Sequence, residues 1–408
     1  LIHRGPDDSG AWCDAGAGYA VGHRRLSIVD LSPSGHQPMA SPGGRWVIAF
    51  NGEIYNHREL RARLEAETSA PSWRGHSDTE TLLGCIDAWG VETTLERIVG
   101  MFAIALWDRE QRCLTLVRDR MGEKPLYYGW QGDAFLYGSE LKALRAHPSF
   151  RGDINRDALT LLLRHNCIPA PYSIFTGISK LLPGHMLRIP FPATRPSDEL
   201  VPAPYWQVND AVADGLANPF PGSESEAVDA LENQLSDSIS NQMLADVPLG
   251  AFLSGGIDSS TVVALMQAQS AQPVKTFTIG FTEGEYDEAA YAKKVAAHLG
   301  TDHTELYLSP KDALDVIPSL PSIYCEPFSD SSQVPTFLIS KLARQAVTVA
   351  LSGDAGDELF GGYNRYLTAR RAWQRVRKLP APARRVAASI LRSVPPDRWD
   401  GLLATVGP

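Results

Sequence analysis

No apolar run in this chain approaches the ~18 residues of a membrane-spanning helix, and no signal-peptide pattern is present, so a cytoplasmic protein is the expectation. Positive charge is in deficit. With 38 Lys and Arg against 47 Asp and Glu the net charge is −9, which argues against generic nucleic-acid binding and suits an enzyme of small molecules. Cysteine is scarce. Cys13, Cys85, Cys113, Cys167 and Cys325 are odd in number and scattered with no C-x-x-C, which leaves neither a disulfide framework nor a zinc ribbon. His3, His23 and His57 match no common zinc spacing and are expected to be core or capping residues.

Core material, by contrast, is ample: 44% of the 408 residues are hydrophobic, and the length suggests two or three domains at roughly 100–200 residues each. Residues 1 to about 185 alternate short apolar runs (46–50, 102–107, 113–117, 134–137) with turns, and 78–89 and 157–163 read as helices. An α+β unit with strands stacked in two sheets is expected over 1–189. Residues 190–222 hold seven prolines and little periodicity, the mark of a linker. A second unit, 223–408, opens on the capping box Ser223-x-x-Glu226, with Val228, Leu231, Leu235, Ile239 and Met243 on one helical face. Strands at 247–253, 275–281, 303–308 and 347–351 then alternate with helices at 260–269, 286–299 and 334–345. That order predicts an α/β parallel sheet covered on both faces. From Asn364 onward ten Lys or Arg stand against two Asp; a solvated helical face is the expectation, an RNA-binding patch the alternative.

Ser254-Gly-Gly-Ile-Asp-Ser-Ser260 leads from a strand through a glycine turn into a helix. N–H groups left free at such a terminus, with the positive end of the helix dipole, hold a phosphate chain. Gly255 and Gly256 let the backbone come close to it. No Lys follows, so this is not G-x-x-x-x-G-K-[ST], nor is it the dinucleotide fingerprint. A plain glycine turn with Asp258 or Ser259 as N-cap is the alternative. After a later strand, Leu351-Ser-Gly-Asp-Ala-Gly-Asp-Glu-Leu-Phe-Gly-Gly-Tyr363 crowds Asp354, Asp357 and Glu358 onto a glycine-rich turn. Three such carboxylates repel one another alone and make sense beside a divalent cation; a turn of solvated acids is the alternative. Both Ser254 and Ser352 fall at carboxyl ends of strands, where parallel sheets bind ligands.

Ser-Gly-Gly-x-Asp-Ser resembles the pyrophosphate loop of ATP pyrophosphatases. With Asp246-Val-Pro and the second loop, the stretch from Ser223 to Tyr366 resembles the synthetase domain of asparagine synthetases. The resemblance implies ATP held by Phe252, Ser254, Gly255, Gly256, Asp258, Ser259, Ser260, Ile279, Ser352 and Gly353, and Mg²⁺ held by Asp258 and Asp357. Asp354 stands where many members carry Glu, the carboxylate tied to forming a β-aspartyl-adenylate. It is one methylene shorter.

In the first unit, Arg4-Gly-Pro-Asp7, His23-Arg-Arg-Leu-Ser-Ile28, Asn51-Gly-Glu53, Ser77-Asp78 and Gly122-Glu-Lys-Pro-Leu-Tyr-Tyr128 form a set. It resembles the class II glutamine amidotransferase domain, an N-terminal-nucleophile hydrolase. The resemblance implies that Arg25 pairs with glutamine's α-carboxylate, that Glu53 and Asp78 accept from its α-ammonium, and that Leu26, Ser27, Ile28 and Val29 line the pocket. The Asn51 side chain and Gly52 N–H are implied as the oxyanion hole. Read alone, Asn51-Gly52 is a hairpin turn. The family's nucleophile is an N-terminal Cys whose own amine serves as base. Leu1 is not Cys and Cys13 lies beyond Arg4-Gly-Pro-Asp7, so a preceding segment beginning Met-Cys-Gly is expected, and a family Lys beyond Pro408.

Together these resemblances imply a glutamine-hydrolysing asparagine synthetase: L-aspartate, ATP and L-glutamine to L-asparagine, AMP, pyrophosphate and L-glutamate, in a family where homodimers are usual. Three other readings stay open. One is an amidotransferase of this architecture acting on another carboxylate, such as a sugar acid. A β-lactam synthetase is the second, although it need not keep a glutamine pocket. The third is a non-catalytic nucleotide-binding subunit.

Overall fold

Alternating inward and outward residues make an antiparallel ribbon of β1 (Asp8–Asp14) and β2 (Tyr19–Arg25), running from Asp8 opposite Arg25 to Asp14 opposite Tyr19. The computed structural model, which describes residues 1–67, 69–192, 198–281, 288–393, 395 and 398, continues with β3 (Met39–Ala40) and β4 (Trp46–Ile54). Three helices follow: α1 (His57–Ala66), α2 (Asp78–Trp89) and α3 (Val91–Arg97). After β5 (Gly100–Asp108), β6 (Cys113–Arg118), β7 (Tyr127–Gln131) and β8 (Ala134–Gly138) come α4 (Leu141–Arg145) and α5 (Arg156–His165). The unit ends on β9 (Ile178–Lys180) and β10 (His185–Pro190).

The strands form a six-stranded sheet in the order β11–β10–β6–β5–β4–β3, where β11 is Ala203–Pro204, and a three-stranded sheet β8–β7–β9. Runs such as Phe102 to Trp107 are buried throughout because both faces of the large sheet are covered. On one face Phe50, Ile104, Leu82 and Leu64 join sheet to α1 and α2. On the other Tyr19, Val21, Trp107, Leu116 and Tyr128 join it to the ribbon and β7, with Trp107 stacked on Tyr19 at 4.4 Å. The expected stack of two sheets is therefore present. The stretch 190–222 is less bare than its prolines suggest. β11 pairs with β10, and α6 (Val208–Ala217) fills the proline-free interval between Pro204 and Pro219.

The second unit opens on α7 (Glu224–Gln242), and its capping box is formed: the Ser223 hydroxyl accepts from Glu226 N–H and the Glu226 carboxylate from Ser223 N–H. The anticipated apolar face is buried only at its far end, at Ile239; Val228 and Leu231 are exposed, so the helix outruns its packing partner. There follow β12 (Leu249–Phe252), α8 (Ile257–Ala268), β13 (Lys275–Phe281), α9 (Ala289–Leu299) and β14 (Asp302–Leu308). Residues 286 and 287 of the anticipated helix 286–299 lie outside the described residues. Then come α10 (Pro310–Val316), α11 (Leu320–Ile323), α12 (Gln333–Ala343), β15 (Val349–Leu351) and α13 (Gly356–Phe360). The sheet is parallel in the order β14–β13–β12–β15. The chain moves one way from β12 to β13 and β14 and returns on the other side as β15, so the strand order reverses at the β12/β15 pair. That reversal opens a crevice at the carboxyl ends, the usual ligand position of such sheets.

The basic run forms, among the described residues, α14 (Asn364–Val376) and α15 (Ala381–Ser393), neither with a buried residue, as expected of a solvated face. Residues 394, 396–397 and 399–408 of that run lie outside the described residues. The two units meet where Glu326 accepts from Ile174 N–H (2.7 Å) and pairs with Lys180, and again where Asp246 N–H donates to Ile28 O (2.9 Å). No helix among the described residues is long and apolar enough to cross a membrane.

Candidate functional site

At the β12/β15 crevice the loop after β12 enters α8 with Gly256 as N-cap and no side-chain cap bond, so Asp258 and Ser259 are not the capping residues that a plain turn requires. The helix begins at Ile257, three residues earlier than expected, and its first N–H groups are left to a ligand. Gly255 is left-handed (φ 81°), and a Cβ there would lie 2.7 Å from Ala292 N on α9. Ser259 Oγ and Ser254 Oγ are 2.9 Å apart, and Ser254 Oγ accepts from Gly256 N–H (3.3 Å), which shapes the turn. Ser260 Oγ is buried with no partner, an orphaned donor beside this terminus.

The loop after β15 lies directly on α8. A Cβ at Gly353 would fall 2.6 Å from Ser259 N, and one at Gly356 would fall 2.6 Å from the Asp258 carboxylate. Asp354 accepts from Ser352 Oγ (3.0 Å) and is exposed; Glu358 accepts from Tyr363 OH (2.7 Å). Asp357 opens α13 behind Ala355, which is itself left-handed (φ 72°). Phe252 ends β12, and Ile279 lies near the carboxyl end of neighbouring β13. All the nucleotide-side residues thus gather at one edge of the sheet. Among the described residues no group of three or more acidic, His or Cys side chains is placed to hold a metal ion by itself. Asp258 at the bare helix terminus, with Asp357 following the Gly356 that packs on it, instead suits Mg²⁺, which keeps waters and takes phosphate oxygens.

In the first unit a cavity of about 1440 Å³ is lined by Arg25, Leu26, Ile28, Val29, Asn51, Gly52, Glu53 and Asp78. Ser27 is not on its wall; its N–H instead donates to Asp7 (2.8 Å), which explains the Arg-Gly-Pro-Asp string nearby. Asn51 and Gly52 are strand residues of β4, opposite Ala103 and Phe102, and not a hairpin turn. Glycine is required at 52 by proximity: a Cβ would strike Met101 O and fall 2.7 Å from Phe102 Cα. Gly52→Ala is accordingly expected to cost about 1–3 kcal/mol of stability, read by urea unfolding. The Asn51 amide donates to Ser139 Oγ (3.0 Å).

Arg25 differs from expectation in part. Three of its N–H groups already donate to the carbonyls of Val29 (3.1 Å), Asp30 (2.6 Å) and Ser32 (3.4 Å), which folds the 26–32 loop around the guanidinium. Two of an arginine's five donors remain. Glu53 is buried with Oε1 unpartnered. Burial first, and the nearby Asp78 charge second, raise its pKa to about 7, with Lys124 partly offsetting them. Asp78 starts α2 behind the Ser77 cap. It accepts from Ile54 N–H (3.0 Å) and Thr79 N–H (2.7 Å), and burial raises its pKa. The buried Glu53 carboxyl thus keeps one oxygen available to meet a cation.

Two of the three histidines pack as expected: His57 Nδ1 bonds Ile54 O (2.9 Å) and burial lowers the His23 pKa to about 4, whereas His3 is exposed and reaches Glu140. Sequence reading missed Asp119, fully buried, which accepts from the N–H groups of Phe102, Met121, Glu123 and Lys124 and so holds Lys124 against the pocket. The polar Arg-Asp-Arg that ends β6 was the signal for it.

A glutamine amidotransferase domain model matches residues 1–206, and an asparagine synthase model matches 230–406. A putative glutamine-hydrolyzing asparagine synthetase 2 of Methanocaldococcus jannaschii is 36% identical over 96% of this chain and 76% of its own length. The glutamine-hydrolyzing asparagine synthetases 1 and 3 of Bacillus subtilis are 35% and 32% identical, each over 90% of this chain. Of those two relatives' own lengths the chain spans 55% and 60%.

Proposed function

The chain belongs to the family of glutamine-hydrolysing asparagine synthetases, and on that footing we propose that it amidates L-aspartate with ATP, drawing the nitrogen from L-glutamine. Its two matched domains together are those of a carbon–nitrogen ligase that uses ATP. The glutamine half takes residues 1–189 and the synthetase half 223–408. Between them runs 190–222, whose strand Ala203–Pro204 lies on the first sheet.

In the first half Arg25 holds the α-carboxylate of glutamine with its two remaining donors, and Glu53 and Asp78 hold the α-ammonium. When the thiol of the family's nucleophilic Cys adds to the side-chain amide, the Asn51 amide and Gly52 N–H face the oxygen of the tetrahedral intermediate. Its collapse releases ammonia and leaves a thioester for water to hydrolyse. In the second half the side-chain carboxylate of aspartate attacks the α-phosphorus of ATP and pyrophosphate leaves. Ammonia then attacks the acyl carbon, and AMP departs. The free N–H groups at the start of α8, with Gly255 letting the backbone come close, receive the pyrophosphate, and Phe252, Ile279, Ser352 and Gly353 border the nucleoside. Asp258 and Asp357 would hold Mg²⁺, which would supply charge neutralisation for the pyrophosphate leaving group. The wall of the glutamine cavity includes Ser340, Thr348 and Val349 of the second half, which supports passage of ammonia from one half to the other.

One observation carries this reading: the β15 loop lies on the uncapped N-terminus of α8, bringing Gly356 against the Asp258 carboxylate. The test takes the full-length protein with Mg²⁺, ATP and glutamine. AMP and pyrophosphate are expected in equal amounts with aspartate and not with uronic acids. ADP and phosphate as products would sink the mechanism, and turnover with a uronic acid alone would move the acceptor to sugars, a question raised by Asp354.

A further inference from the structure

Asp30 is completely buried, and both its oxygens are engaged. Oδ1 accepts from Ser32 N–H (3.1 Å) and Ser32 Oγ (2.5 Å); Oδ2 accepts from His76 N–H (2.9 Å). Arg25 grips the Asp30 carbonyl from the pocket side. The loop 25–30 and the turn that leads through Ser77 into Asp78 are therefore one tied piece, and it carries Arg25, Leu26, Ile28, Val29 and Asp78 of the pocket lining.

Among the described residues, Asp246 makes the hydrogen bonds that fasten that piece to the other half of the chain. Asp246 Oδ2 accepts from Asp30 N–H (2.8 Å) and from His76 Nε2 (2.6 Å), while Asp246 N–H donates to Ile28 O (2.9 Å). Only Val247 and Pro248 separate Asp246 from β12, and β12 runs straight into the Ser254–Ser260 loop. Pro248 O also accepts from Thr348 N–H (2.9 Å), which ties the same short segment to the start of β15. Proline's fixed φ stiffens the link. Displacement of either nucleotide loop is thus transmitted to the Asp246 carboxylate, and from there to the Asp30 amide and His76.

We propose that Asp246, with His76 as its partner, is a positioning residue that couples occupation of the nucleotide loops to the affinity of the glutamine pocket. The proposal rests on the function inferred above and adds the residues that connect its two sites. Charge-assisted bonds to one carboxylate are strong enough to carry such coupling, and the coupling is reciprocal by linkage. Because Asp246 and His76 are partly exposed, the effect belongs at the lower end of the usual range, about five- to tenfold in affinity.

The experiment measures the glutamine KM of the full-length protein with and without ATP, Mg²⁺ and aspartate, and separately its AMP formation with ammonia as donor. In the unaltered protein the ligands are expected to lower the glutamine KM about five- to tenfold. Asp246→Ala and His76→Ala are each expected to bring that ratio to within twofold of one. Glutamine kcat and ammonia-driven AMP formation should stay within twofold of the parent, readouts that a loss of folding would move. Should Asp246→Ala fail to fold, His76→Ala decides alone, since its side chain is largely at the surface. A KM that ATP and aspartate leave unchanged in the parent, or coupling that survives in His76→Ala, overturns the proposal. Absence of ammonia-driven AMP formation in the parent overturns the functional reading beneath it and is told apart by that arm.

Discussion

Asp258→Asn is expected to lower ammonia-driven AMP formation about 100- to 1000-fold while glutamine hydrolysis by the same full-length protein stays within about twofold. The substitution keeps shape, so Gly356 and the β15 loop retain their contact with residue 258. It removes a negative charge at the second position of α8, where the helix dipole favours one; the stability lost is about 0.3–1 kcal/mol. The large effect comes from chemistry. Pyrophosphate gains charge as it leaves, and a carboxylate that holds Mg²⁺ beside it is needed far more in the transition state than in the ground state. Asp357→Asn should behave alike. Glu358→Gln should not, because that carboxylate is engaged by Tyr363 OH. AMP formation unaltered in Asp258→Asn would remove Asp258 from the pyrophosphate site.

How far the sequence could be read depended on where the information lay. Segments whose pattern is local came through: the helix Asp78–Trp89 and the strand Lys275–Phe281 stand where periodicity puts them. The ribbon β1–β2 did not, because its inward positions mix core residues (Trp12, Tyr19, Val21) with glycine, histidine and charged residues, so no continuous apolar alternation marks it. Strand β4 was cut short at Phe50 for a related reason. Gly52 lacks a side chain so that β5 can approach, and in sequence that looks like a turn. The residues of both candidate sites were legible from motif strings. Their supports were not: Asp246 reaches Asp30 across 216 positions, and no local pattern reports that bond. The turning of Arg25 onto three carbonyls of its own loop was equally hidden, since it depends on how residues 29–32 curl back.

Glutamine binding by the full-length protein is expected to release close to one proton at pH 6 and almost none at pH 8, and Glu53→Gln is expected to abolish the release. Burial and the Asp78 charge raise Glu53 from 4.5 to about 7, so in the free pocket at pH 6 it is mostly protonated. An α-ammonium in contact with Oε1 requires the ionised form. Binding therefore expels the proton and tightens as pH rises toward 7, which calorimetry in two buffers of different ionisation enthalpy measures directly. Losing a charged hydrogen bond of about 1.5–3 kcal/mol should weaken glutamine roughly ten- to a hundredfold in Glu53→Gln. Stability without ligand should move the other way. A carboxyl group whose folded pKa lies above its unfolded one stabilises the fold below about pH 4.5, and that contribution is lost as pH rises through 7. Above pH 7 the neutral Gln is thus expected to be the more stable side chain by about 1–3 kcal/mol. A substitution that strengthens the fold and impairs the ligand is the signature of a charge buried for a cation to meet. If instead Glu53→Gln is no more stable than the parent above pH 7, or binds glutamine as well, the ammonium rests elsewhere and Asp78 is left to hold it alone.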